Sequence, residues 1–118
     1  MIRILAWLLI SATTTATVYN ATTEQCGDNP TVTASGRQIQ PEKVQELRII
    51  AMERTMMARC GIAYGDTILV KGTGVYDGEW VVEDTMHPRF AGQDKIDFLV
   101  PDDVRLGKWN NVEVYKRR

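Results

Sequence analysis

Three carboxylates stand beside short apolar runs: Asp84 after Trp80-Val81-Val82, Glu53 after Ile49-Ile50-Ala51-Met52, and Asp97 within Ile96–Val100. The stretch from Gly78 to Arg89 carries the clearest signal. Gly78 closes a turn, and Trp80, Val81 and Val82 suit a pleated, half-buried surface. Alternation puts Trp80, Val82 and Asp84 on one face, which its two apolar members direct inward. Asp84 then sits at the rim of that face, just before Pro88 stops the pairing. Partial desolvation disfavours the charged form of a carboxyl group, raising its pKa toward what a general acid needs near neutral pH. The competing reading is that Asp84 caps the following turn. Both stand at this level.

Short elements must hold these acids. Thr17–Asn20 reads as a first strand, residues 21–30 as a polar loop, and Val32 as a brief pairing before Gly36. Pro41–Leu47 suits one or two helical turns, with Pro at the first position and Glu42 in the first turn. Arg48–Glu53 reads as a strand with Ile49, Ala51 and Glu53 on one face, followed by a short helix over 54–60. Thr67–Lys71 is a strand, and the turn signals at Gly72–Gly74 and Asp77-Gly78 bracket a hairpin into the Trp80 strand. Gly72-Thr73-Gly74 lacks the Gly-Lys-Ser/Thr continuation of a phosphate loop. Ile96, Phe98 and Val100 share one face of the next strand and Asp97 takes the other. A short helix over Pro101–Gly107 and a last strand carrying Val112 and Val114 complete the chain. Six short strands without a long amphipathic helix favour an all-β fold, a small closed barrel that leaves no exposed edge.

The chain has 118 residues, enough for one domain with a core. Its 14 basic and 15 acidic side chains nearly cancel, which argues against a nucleic-acid partner. The start reads as an export signal: Met1-Ile2-Arg3 is positive, Ile4–Ile10 apolar, and Ser11–Ala16 small and polar, with cleavage expected after Ala16. That divides the chain into a leader, 1–16, and a domain, 17–118, in the periplasm or cell envelope. The apolar run falls short of the roughly 20 residues a membrane span needs. Under export, Cys26 and Cys60 are expected to form a disulfide, the alternative being two separate thiols. One His and two Cys do not make a zinc site, and neither metal nor cofactor is expected.

Several motifs occur in a telling order. Thr33-Ala34-Ser35-Gly36 precedes Ile50-Ala51-Met52-Glu53-Arg54-Thr55, then Tyr64-Gly65-Asp66-Thr67-Ile68-Leu69-Val70. Trp80-Val81-Val82-Glu83-Asp84-Thr85-Met86, Ile96-Asp97 and Gly107-Lys108-Trp109 complete the series. From Thr17 to Tyr115 the chain resembles the double-psi β-barrel family that contains the three-aspartate ("3D") domain, rare lipoprotein A and the barrel of membrane-bound lytic transglycosylase A. Barwin and the expansins are more distant relatives. The resemblance implies a six-stranded double-psi barrel with short helical turns and a groove for cell-wall glycan. It places the catalytic acid at Asp84 and a second acid at Asp97. The third polar position carries Glu53, where the three-aspartate domains have Asp and rare lipoprotein A has His. Met86 stands where Gly is usual.

The resemblance implies a lytic transglycosylase. One acid protonates the oxygen between N-acetylmuramic acid and N-acetylglucosamine, and its conjugate base takes the C6 hydroxyl proton to close a 1,6-anhydro ring. Asp84 is the expected catalyst, with Glu53 near enough to keep it protonated. Asp97 would orient it, bind the C6 hydroxyl, or hydrogen-bond loop backbone. Tyr19 is expected to line the groove, while Trp80 belongs to the core. Thr33 and Ser35 would offer hydroxyls at its edge or cap a turn. Arg89 would pair with Asp84, Asp97 or a peptide-stem carboxylate, and His87 is an exposed loop residue. Two other readings remain: a hydrolase of the same bond using Glu53 and Asp84, and a wall-binding module without catalysis. The partner in each is peptidoglycan glycan, met by a monomer.

Overall fold

The computed structural model describes residues 6–21, 32–101, 103, 104 and 107–118. Six strands close into one mixed barrel, in the order β1-β5-β2-β4-β3-β6. They are β1 (Trp7–Tyr19), β2 (Ile49–Met52), β3 (Thr67–Lys71), β4 (Gly78–Thr85), β5 (Lys95–Leu99) and β6 (Lys108–Arg117). Two pairings are parallel, β1 with β5 and β2 with β4, and the other four are antiparallel. This is the closed six-strand barrel expected from the strand pattern. Among the described residues no helix is long and apolar enough to cross a membrane.

The barrel interior obeys the period-two pattern. Ile50, Val70, Val82, Ile96, Phe98, Val112 and Val114 are fully buried there. Trp80 joins them, its ring tilted by 51° against Phe98 with ring centroids 4.7 Å apart, and its indole N–H donates to the Tyr76 carbonyl at 2.8 Å. Trp80 is therefore core. Each such side chain contributes roughly 1.5–3 kcal/mol by leaving water. A second cluster covers the outside of β2 and β5. It joins Tyr19, Ile39, Val44, Ile49, Ala51, Met86 and Leu99. The 3₁₀ turn Pro41–Lys43 and the short helix α1 (Val44–Leu47) supply part of this cover, in the segment expected to be helical.

β1 is longer than the Thr17–Asn20 strand read from the sequence. Leu9, Ser11, Thr14 and Ala16 pair with β6, with register slips between each successive pair. Such bulges bend and twist a strand, and they hide its alternation. The run read as an export leader thus supplies most of β1 up to Ala16. A cleavage after Ala16 would leave Thr17–Tyr19 of that strand. Polar contacts tie the same part of β1 down: Thr14 Oγ1 donates to Ser11 Oγ at 2.7 Å, and Ser11 donates to Asp94 at 2.9 Å.

Helix α2 (Arg54–Cys60) comes directly after β2 and ends at Gly61, whose φ of 70° is the left-handed conformation glycine adopts without strain. Cys60 is its last residue. Cys26, its expected disulfide partner, lies outside the described residues, as does part of the expected 101–107 helix.

Candidate functional site

The strand registers build one polar row across four neighbouring strands. Thr17 on β1 lies opposite Asp97 on β5, Asp97 opposite Ala51 on β2, and Ala51 opposite Asp84 on β4. Directly opposed residues project to the same side of a sheet. Asp97 falls between the inward residues Ile96 and Phe98, so the row faces outward, as alternation predicted for Asp97. Ala51, the smallest member, separates the two carboxylates.

Asp84 is on the other face from the one its alternation implied. The pairing of β2 with β4 slips after Ile50–Val82, so that Ala51 meets Asp84 rather than Glu83. One extra residue reverses the facing of the residues beyond it. Asp84 therefore leaves the side of Trp80 and Val82 and joins Ala51 and Asp97.

Hydrogen-bond donors surround the Asp84 carboxylate. Oδ1 accepts from the backbone N–H groups of Ala34 and Thr85, both at 3.0 Å, and Oδ2 accepts from the Tyr19 hydroxyl at 3.1 Å. Ala34 is held in place by a tight turn. Ser35 N–H donates to the Glu83 carbonyl at 3.0 Å, Gly36 N–H to the Thr33 carbonyl at 2.9 Å, and Arg37 pairs with Glu83 at 3.2 Å. Gly36, at a φ of 89°, permits the reversal. The hydroxyls of Thr33 and Ser35 bond each other at 2.7 Å. They build this turn, and the turn delivers a backbone donor to Asp84. Thr85 Oγ1, beside it, is buried and has no hydrogen-bond partner among the described residues.

Asp97 has a different environment. Thr17 Oγ1 donates to its Oδ1 at 2.5 Å. Burial pushes the Asp97 carboxyl up to about 6; the Thr17 hydrogen bond and the Lys95 charge pull against this, and the Asp84 charge adds to it. The charge of Asp84 thus reaches Asp97 across Ala51.

Glu53 does not join them. It is 1% exposed and caps α2, accepting from the N–H groups of Thr55 at 2.6 Å and Met56 at 3.1 Å and from the Thr55 hydroxyl. Burial raises its pKa, but the Thr55 and Met56 hydrogen bonds and the Arg59 charge outweigh that and hold it below the usual carboxylate range. The expected repulsion between Glu53 and Asp84 has no counterpart in this geometry. Arg89 is exposed, its guanidinium over the Phe90 ring at 4.8 Å, and it makes no ion pair with Asp84 or Asp97. His87 is exposed and accepts the Arg89 N–H on Nδ1 at 3.0 Å. Met86 packs into the outer cluster.

Thr17, Ala51, Lys95 and the Ala34 N–H were missed in the sequence. Thr17 alone carried a usable signal, because it shares a strand face with Tyr19. Among the described residues no group of three or more His, Cys, Asp or Glu side chains is placed to hold a metal ion.

No protein-family model matches this chain, and no curated protein matches it. It is similar to two solved structures of rationally designed proteins, mkDPBB_sym2 and mkDPBB_sym1. Identities are 17% and 16%, and both TM-scores are 0.41. Each match covers 88% of this chain and 99% of the design. These designs are double-psi β-barrels. The barrel assignment itself rests on the closed strand order and register of the six strands.

Proposed function

We propose that this barrel is a lytic transglycosylase-like enzyme that cleaves peptidoglycan between N-acetylmuramic acid and N-acetylglucosamine. The observation that carries the reading is the Thr17–Asp97–Ala51–Asp84 row, with one carboxyl group pushed toward neutrality beside a second. A general acid is most effective when its pKa lies near the working pH. The order of motifs from Thr17 to Tyr115 supports the same reading, through the resemblance to wall-active double-psi barrels. In the reaction a carboxylic proton passes to the bridging oxygen and the C1–O bond breaks. The C6 oxygen then bonds to C1, and its proton returns to the carboxylate. No water is consumed.

Such a substrate requires the enzyme in the periplasm or envelope, so export belongs to the proposal. N-terminal sequencing of the secreted, folded protein tests the form it takes. A start at Thr17 supports leader cleavage, and a start before Trp7 supports retention of all of β1.

Mass spectrometry of purified peptidoglycan incubated with the full chain tests the activity. The expected products carry a 1,6-anhydro end and are one water lighter than hydrolysis products. Asp84→Asn should lower their release on the order of 10²–10⁴-fold with the fold retained by circular dichroism. Hydrolysis products would make the chain a glycosidase. Binding to sacculi without any product would make it a wall-binding module.

A further inference from the structure

The two carboxylates of the row differ in one respect that the proposed reaction leaves open. Both oxygens of Asp84 are engaged: Oδ1 by two backbone N–H groups and Oδ2 by the Tyr19 hydroxyl. A backbone N–H can only donate, so Oδ1 must accept. Asp97 is engaged on one side only, where Thr17 donates to Oδ1. Its Oδ2 makes no hydrogen bond with the described residues. Asp97 as a residue is half-buried, so its Oδ2 is the oxygen left for a ligand, in a carboxyl group that is otherwise largely withdrawn from water.

We propose that Asp97 carries the proton that is given to and recovered from the glycan, and that Asp84 is its fixed, hydrogen-bonded anionic partner. This rests on the glycan-cleaving reading but reverses the roles that the resemblance assigns. Proton transfer leaves from Asp97 Oδ2 to the bridging oxygen. The electron pair of the broken C1–O bond stays on that oxygen, and the C6 hydroxyl returns a proton to Asp97 as its oxygen bonds to C1. Asp84 faces the positive charge that develops at the sugar ring between these events. Thr17 and Tyr19 are positioning residues.

The charged and titratable groups around Asp97 are few. Lys95 lies on its own strand, Asp84 two strands away, and Tyr19 on β1. Glu53 comes after β2 but turns to α2, and Lys108 on β6 is exposed opposite Thr17. Of these, Asp84 favours the protonated Asp97 and Lys95 opposes it.

The test is a carbon-13 titration of the side-chain carboxyls in the full chain, run beside the pH profile of kcat/KM on peptidoglycan. Asp97 is expected to titrate near 6, and Thr17→Val to raise that midpoint by about half to one pH unit, since it removes a hydrogen bond to the charged form. Thr17→Ser keeps the hydroxyl and should keep the midpoint. The alkaline limb of the profile should rise with Thr17→Val by the same amount. Tyr19→Phe should lower kcat while leaving the alkaline limb in place. An Asp97 midpoint in the ordinary carboxylate range overturns the proposal, as does an alkaline limb that responds to Tyr19→Phe and not to Thr17→Val. If peptidoglycan is not cleaved at all, the functional reading fails. The titration then still decides where the proton resides: a midpoint near 6 that answers to Thr17 supports Asp97, and an ordinary one rejects it.

Discussion

Glu53 and Asp97 are close neighbours in the barrel wall, yet their environments act on them in opposite directions. The Glu53 N–H bonds the Lys95 carbonyl at 3.0 Å, two residues before Asp97 on β5. Both carboxyl groups are largely withdrawn from water. At Glu53 the α2 N-terminus presents two backbone N–H groups and a hydroxyl, and the charged form is favoured. At Asp97 a single hydroxyl meets the carboxylate, and desolvation prevails. Burial alone therefore does not set the state of an acid; the number of donors aimed at it does. Glu53 is a structural anion, and Asp97 is an acid poised to exchange a proton.

Asp97→Asn should produce the largest effects. Glycan release should fall on the order of 10²–10⁴-fold, while the protein becomes more stable at neutral pH. The folded pKa of about 6 against 3.8 corresponds to about 3 kcal/mol at roughly 1.4 kcal/mol per unit. Proton binding sets the sign. Between pH 4 and 6 the folded state holds the Asp97 proton more firmly than the unfolded chain, so wild-type stability falls as pH rises through that window. The gain from Asn should be present at pH 7 and gone by pH 4 in urea melts. Equal stability differences at both pH values would remove the contrast with Glu53.

Glu53→Ala should do the reverse. It leaves the α2 N-terminus and the Thr55 hydroxyl without their acceptor, at a cost of about 2–3 kcal/mol. Because the folded pKa of Glu53 is lowered, its stabilisation is present above the unfolded value of roughly 4.3 and is lost as pH falls through the folded one. The alkaline limb of the activity profile should not move. A shift there would mean that Glu53 and the Asp84–Asp97 pair are coupled after all.

Filling the gap between the carboxylates is a milder intervention. Ala51 is 3% exposed, and Ala51→Val adds two methyl groups there, costing about 1–2 kcal/mol by overpacking. It should depress activity more than stability, which parallel kinetics and thermal melts would show. A variant that loses stability but keeps full activity would argue that the gap is not where the substrate meets the acids.

The smallest expected effect is the most direct comparison. Thr55→Val and Thr17→Val each delete one hydroxyl donor to a carboxylate. Thr55→Val should cost about 1 kcal/mol of stability and leave the pH profile unchanged. Thr17→Val should instead move the alkaline limb of the profile upward with the Asp97 midpoint. Matching behaviour in the two variants would erase the distinction between Glu53 and Asp97.

Local patterns in the sequence determined much of the scaffold. Period-two alternation located Thr67–Lys71, the inward faces of β5 and of Val112–Val114 in β6, and the outward turn of Asp97, because those stretches run without interruption. Gly and Asp marked the β3–β4 hairpin and Pro41 the start of the first helical segment, since turn geometry and the proline ring act on local dihedrals. The tertiary structure decided what depends on partners distant in the chain. The pairing of β1 with β6 from Trp7 onward is visible only in the fold, because a bulged strand loses its alternation. A single slip against β2 moved Asp84 to the outer face, and register is a property of two strands rather than one. Glu53 and Asp97 are the same chemical group in similar strand contexts. What separates them is the set of donors that folding brings to each, and no window of neighbouring residues contains that set.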